Sequence, residues 1–236
     1  MLKSIAPDLW TADHAMRMPG GWFMPLRMAV VRLPDGGLWL HSVVPMDDAL
    51  AAAIDALGPV RHLVAPNRFH HLHLVAAHQR WPSARTWGAP GLGDKRPEVT
   101  FDETLGDGVP AAWGGVLTAV HIHGAPKVAE TVFVHGPSGS LLVTDLMFCF
   151  ERSPSWKVSL VLHLMGVLGG LRQSRAWRFA FCKDRAAAAA CVARLRALPI
   201  TRVVPCHGSV LETDVAPALD RALKWMSGGQ RVLPGT

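Results

Sequence analysis

Charge is scarce in this 236-residue chain: Asp, Glu, Lys and Arg make up 18% of it, against 50% hydrophobic residues. So apolar a composition excludes a disordered chain, which stays solvated through high charge and few apolar residues. Long apolar runs are missing too. The longest, Val158 to Leu171, is 14 residues interrupted by His163 and Gly166. That is short of the ~20 needed to cross a bilayer, so it reads as a buried helix with no transmembrane segment. Gly and Pro follow no fixed period, which excludes a fibrous chain. Cysteine is sparse, and Cys149, Cys182, Cys191 and Cys206 form no CxxC pair. Met1 to Asp8 offers neither a long apolar segment nor a small-residue cleavage site, so no secretory signal is read. The expectation is a cytoplasmic protein with reduced thiols. Lys and Arg exceed Asp and Glu by 24 to 18. The arginines are scattered, however, the densest patch being Arg172, Arg175 and Arg178, and without a recognition motif nucleic acid is not an expected partner.

With no internal repeat and no long linker, the chain is expected to form one domain over 1–236. Two apolar runs, Met28–Leu33 and Leu38–Val44, flank Pro34-Asp35-Gly36-Gly37 and read as a β-hairpin. Helical spacing follows from Pro45 to Leu57, stopped by Gly58-Pro59. Then come a strand His62–Ala65, a helix His71–Trp81, a strand Arg85–Ala89 and a loop Pro90–Pro97. Strands return at Val116–Ile122, Glu130–His135 and Ser140–Leu146, the last two joined by Gly136-Pro137-Ser138-Gly139. Helices at Val158–Leu168 and Asp184–Leu198, a strand Arg202–Pro205 and a helix from about Val215 to Met226 complete the order. A β-rich then α half, repeated, predicts two stacked sheets with helices outside, a four-layer α/β arrangement.

The 12 histidines are more informative than the charge. His70-His71 follow one predicted strand, Asp145 ends another, and His207 follows a third. Strand ends are where α/β folds gather chemistry, and imidazoles with a carboxylate suit borderline divalent ions such as zinc. Taken singly, each has an ordinary reading: a surface or core histidine, a capping aspartate, a tight turn at Cys206-His207-Gly208.

The order strand-HH-helix, strand hairpin ending in Thr144-Asp145, then strand and Pro205-Cys206-His207-Gly208 resembles the metallo-β-lactamase-like superfamily. That resemblance implies a four-layer αββα sandwich, with Leu141–Asp145 and Val203–Gly208 delivering ligands. The superfamily's HxHxDH motif is altered. Aligning His71…Trp81-Pro82 with its DH-helix-Pro spacing puts His70 at the Asp and His71 at the third His. The first two histidines fall at Pro66 and Arg68, neither of which binds a cation. The segment Ala65–Leu72, with Glu130 and Asp145, resembles the divergent DUF4336 branch.

The resemblance implies a first ion position reduced to His123 (or His121) and Asp145, and a second holding His70, His71, Asp145 and His207. One divalent ion is expected, zinc first, with iron or manganese as alternatives. The implied activity is metal-dependent hydrolysis of a small-molecule substrate. The alternative is a non-catalytic member, without metal, that binds a ligand or partner. No residue is assigned to catalysis. Arg68 and Glu130 are the candidate substrate-binding residues: Arg68 reads as a fixed charge for an anionic substrate, or as the ion-pair partner of Glu130, with Lys127 as a further polar neighbour. His73 is expected to point away from His71, and His163 to be a satisfied core or interface residue. The nine Trp read as core or rim, and the stretch around His163 as a pocket wall or homodimer face, with a membrane-touching lid as a further alternative.

Overall fold

β-Branched and leucine-rich runs pair into two sheets in the computed structural model, which describes residues 1–227. The first sheet follows chain order: β1 (Leu2–Ala6), β2 (Leu9–Arg17), β3 (Phe23–Arg32), β4 (Leu38–His41), β5 (Val60–Ala65), β6 (Arg85–Gly88) and β7 (Glu103–Thr104). Neighbours are antiparallel through β4 and parallel from β4 to β7. In the second sheet β8 (Leu117–His121), β9 (Thr131–His135) and β10 (Ser140–Val143) are antiparallel neighbours. Its β13 (Arg202–Pro205) runs parallel to β10, while β11 (Phe148–Phe150) and β12 (Gly170–Arg172) form a separate short pair. The helices are α1 (Asp48–Asp55), α2 (Leu74–Arg80), α3 (Leu92–Lys95), α4 (Trp156–Met165), α5 (Arg185–Arg196) and α6 (Val215–Leu223).

Alternation along the strands creates the layers. Trp39, Val64, Phe133, Leu142 and Val204 meet between the sheets. Their neighbours Leu38, Leu40 and Leu63 pack outward under α1 and α2, and Leu141, Val143 and Val203 pack outward under α5 and α6. The result is helix on sheet on sheet on helix, as the β-then-α order predicts. Its last nine residues, 228–236, of the span expected as one domain lie outside the described residues.

Three local differences bear on function. β1 and β2 have no predicted counterpart, because β2 mixes polar and apolar residues; Leu9, Thr11 and Ala12 are buried and the rest lies nearer the surface. The predicted loop 90–97 contains α3, pinned by fully buried Leu92. The Val158–Leu171 run is not a buried helix. α4 buries Val158 and Leu162 but leaves Leu160, His163 and Leu164 exposed, so His163 is no core residue.

Candidate metal centre

Three side chains converge at the C-terminal ends of strands from both sheets. β5 stops at Pro66, and the chain turns through Asn67, whose Oδ1 accepts from the backbone N–H of Phe69 and His70, 2.8 Å each. That turn aims His70 at the second sheet. β10 and β13 lie in parallel register, Val143 beside Pro205, and Cys206 N donates to Val143 O. Asp145 and His207 therefore emerge side by side. β10 ends earlier than the predicted strand because the Glu130 side chain takes the next rung, its Oε1 accepting from Thr144 N at 2.8 Å.

His70 Nε2 lies 3.2 Å from His207 Nε2 and 3.3 Å from Asp145 Oδ2, and His207 Nε2 is 3.7 Å from Asp145 Oδ1. All three donor atoms fall within 4.8 Å of one another. The ring nitrogens facing away are held. His207 Nδ1 is 2.8 Å from Pro25 O, a pure acceptor, so Nδ1 carries the hydrogen and Nε2 keeps its lone pair. His70 Nδ1 sits 2.7 Å from Ser42 Oγ. Phe148 stacks on the His207 ring at 4.9 Å. Asn67 Nδ2 donates to Asp145 Oδ2 (2.7 Å) and Thr144 Oγ1 (2.8 Å), fixing the carboxylate.

Electrostatics follow from this crowding. Burial disfavours charge on His70, but the Asp145 carboxylate outweighs it and raises the imidazole well above its ordinary value. Burial also opposes charge on Asp145, yet His70, His207 and Asn67 bring it to about 2. His207 is lowered to about 4, by burial and then by His70. Glu130, fully buried, is raised to about 7 by burial and by Asp145. Two imidazoles and one carboxylate fit a divalent ion with an open position, the donor pattern of three-ligand catalytic zinc sites.

The other predicted site residues are placed differently. His71 is not in this group: its Nδ1 faces Arg96 Nη1 at 3.0 Å, and burial with the charges of Arg96 and Lys95 lowers it to about 4. His123 is half exposed and paired with Asp107. Arg68 donates to Pro126 O at 3.3 Å and lines a separate cavity of about 340 Å³ with His121 and His123. The Arg68–Glu130 ion pair offered as an alternative is not formed: Arg68 turns to Pro126 O, while Glu130 Oε1 accepts from Thr144 N. Sequence reasoning missed Asn67, Ser42, Arg27 and Arg96. Only Asn67 carried a signal, as a polar residue between Pro66 and the altered motif.

The centre opens into a cavity of about 350 Å³ walled largely by Met16, Met18, Met24, Phe69, Phe148 and Met165. His71 and His73 also line it, so His73 faces the same space as His71. α2 begins only at Leu74, and His73 is its N-cap with φ −105°, so helical spacing does not govern where His73 points.

No curated protein matches the sequence. Residues 7–92 match the family described as a domain of unknown function, DUF4336. Solved structures match almost end to end. A metallo-β-lactamase from Pontibacter korlensis has TM-score 0.66 and 17% identity, covering 96% of this chain and 98% of that one. A metallo-β-lactamase from Erythrobacter litoralis, with β-mercaptoethanol in its active site, has TM-score 0.68 and 16% identity, covering 96% of each chain. The mono-zinc form of the metallo-β-lactamase FIM-1 from Pseudomonas aeruginosa has TM-score 0.65 and 15% identity, again covering 96% of each. The chain thus has the metallo-β-lactamase fold, and its residues 7–92 resemble the DUF4336 family.

Proposed function

We propose that this chain is a cytoplasmic single-ion hydrolase for a small, largely apolar substrate, built as one domain over 1–236. The observation that supports it is the convergence of His70, Asp145 and His207 within 4.8 Å at the floor of a methionine-walled cavity. Those three would hold the ion. Zinc is the first candidate for a nitrogen-and-oxygen donor set, before iron or manganese. When bound, such an ion supplies the Lewis acidity that hydrolysis of an ester, amide or phosphoester needs.

The chain's own groups do the positioning. Pro25 O and Ser42 Oγ orient the two imidazoles, and such outer partners are worth about 10–100-fold in metal affinity. Asn67 holds Asp145 through a 2.7 Å hydrogen bond to Oδ2. The methionines and phenylalanines exclude water and adapt to a substrate's apolar part. Lys95 Nζ, 4.8 Å above the Phe69 ring, puts a cation at the cavity wall.

A second reading, ligand binding without catalysis, is favoured by Arg96 engaging His71, which leaves three donors rather than four. Metal analysis separates the readings. After loading with zinc and dialysis against a weak chelator, we expect one ion per chain, retained by His123→Ala and lost by His70→Ala and His207→Ala. Hydrolysis of aryl esters should fall in parallel with metal content. Two ions per chain would refute the single-ion site. A protein that takes no metal under any loading, or that loads but hydrolyses nothing, belongs to the second reading.

A further inference from the structure

Charge and apolar exposure coincide on one stretch of the surface. Residues 152–182 hold five cations, Arg152, Lys157, Arg172, Arg175 and Arg178, and no Asp or Glu, so this stretch carries +5 of the chain's formal +6. Among the described residues none of the five forms a salt bridge, whereas Arg27, Arg80, Arg85, Arg194 and Arg202 all do.

α4 sits within this stretch. The Ser155 hydroxyl caps it, and Val158 and Leu162 turn inward onto Met24, Phe148 and Phe150. The opposite face is apolar as well: Trp156, Leu160 and Leu164, spaced four apart, are 73%, 52% and 61% exposed. Phe179, in the short turn 177–181, is 77% exposed. The arginines gather where α4 ends. Arg175 donates to Leu164 O at 3.3 Å, and Arg172 to Gly169 O at 3.2 Å. The inner side of the same region borders the metal-centre cavity through Met165, and Phe181 packs 5.7 Å from Phe69 on the cavity wall.

The chemistry of the face selects its occupant. A second copy would set +5 against +5 across an apolar stripe, which like-charge repulsion opposes. An anionic bilayer satisfies both features, because Trp and Leu enter the headgroup–acyl boundary while guanidinium and ammonium groups meet lipid phosphates. We propose that α4 and its flanking cations dock this protein on an anionic lipid bilayer, holding the mouth of the cavity against the lipid. The association is peripheral, since no described helix is long and apolar enough to cross a membrane.

The test needs neither metal nor turnover, so its failure leaves the metal centre untouched. The full chain is sedimented with vesicles of phosphatidylcholine alone and of phosphatidylcholine mixed with phosphatidylserine. Binding is expected only to the mixed vesicles, and it should weaken as salt is added. Leu160→Asp with Leu164→Asp should weaken binding about tenfold or more, and Arg152→Glu with Lys157→Glu by a similar factor. All four side chains are exposed, so circular dichroism and melting should stay those of the parent. Absence of binding to the mixed vesicles overturns the proposal, as does equal binding to neutral ones or indifference to both double variants. A dimer on sizing that Leu160→Asp with Leu164→Asp dissociates, without vesicle binding, assigns the face to a second copy.

Discussion

Asn67 is fully buried, and each of its hydrogen-bonding groups faces the centre: two donors on Thr144 and Asp145, one oxygen shared by two backbone N–H groups. Asn67→Ala leaves those two N–H groups without their acceptor and Asp145 Oδ2 with His70 alone, at 3.3 Å. An unsatisfied buried polar group costs about 1–3 kcal/mol, so the urea midpoint should fall and metal retention should drop with it. Asn67→Asp sets a second carboxylate beside Asp145 and should be the worse variant without metal. If both variants keep parental midpoint and metal content, Asn67 is only a turn residue. That plainer role is how a Pro-Asn pair reads in a sequence, since the partners Thr144 and Asp145 stand 77 and 78 residues away. The same distance in sequence explains His70 and His71. Both are expected as ligands from their adjacency, and only the position of Arg96, just past the end of α3, shows that His71 is engaged elsewhere.

The ligand-bearing loop after β13 is held by several elements at once. Arg27 on β3 donates through Nη1 to Pro205 O (2.9 Å) and Gly208 O (2.8 Å), and through Nε to Asp13 (2.7 Å). Cys206 Sγ reaches Arg27 O, and Cys149 N donates to His207 O. Gly208 has φ +97°, and a Cβ there would stand 1.9 Å from Cys149 O. Gly208→Ala therefore meets both backbone strain and a clash with a carbonyl that cannot retreat without breaking the Cys149–Ser209 pairing. We expect a loss of about 2 kcal/mol or more, with His207 displaced and metal affinity reduced. Arg27→Lys keeps the charge but cannot bridge two carbonyls and Asp13 together, so it should loosen metal binding with a smaller effect on the urea midpoint. A Gly208→Ala protein with parental stability and metal content would show that the loop is not set by this contact. At this scale the sequence is most legible: β5, β10 and β13, the hairpin turn 136–139 and the helices α1, α5 and α6 show in runs and stop signals. The clamp by Arg27 is not, because β3 reads as a hairpin strand and pairing across sheets leaves no local pattern. α4 was misread for a related reason. An apolar run fixes helix formation but not how much of its circumference another element covers.

Two neutral histidines lie between the sheets and link the stability of the whole molecule to pH. His41 stacks on Trp39, and burial, then the charge of His70, lowers it to about 3. His62 accepts from Trp87 Nε1 at 3.1 Å, and burial above all lowers it to about 4. Both folded values lie below the ordinary 6.5, so the unfolded chain takes up these protons first as pH falls. The stability gained by keeping them neutral is complete above pH 6.5 and is lost as pH falls toward 4 and 3. By pH 5 the loss comes to about 2 kcal/mol for each, from 1.36 kcal/mol per pH unit of differential binding. Glu130 acts with the opposite sign. Its folded value of about 7 lies above the ordinary 4.5, so it destabilises the fold as pH rises through that window and cancels about one histidine's share. The parent's own pH profile is therefore a blunt readout, and the difference between variants is the sharp one. His62→Gln keeps an acceptor for Trp87 but cannot titrate. Relative to the parent, its unfolding free energy from urea titrations should improve by about 2 kcal/mol between pH 7.5 and pH 5. A constant difference between the two proteins across that range would mean that His62 titrates in the folded protein as it does in the unfolded chain, and that the layer between the sheets admits water.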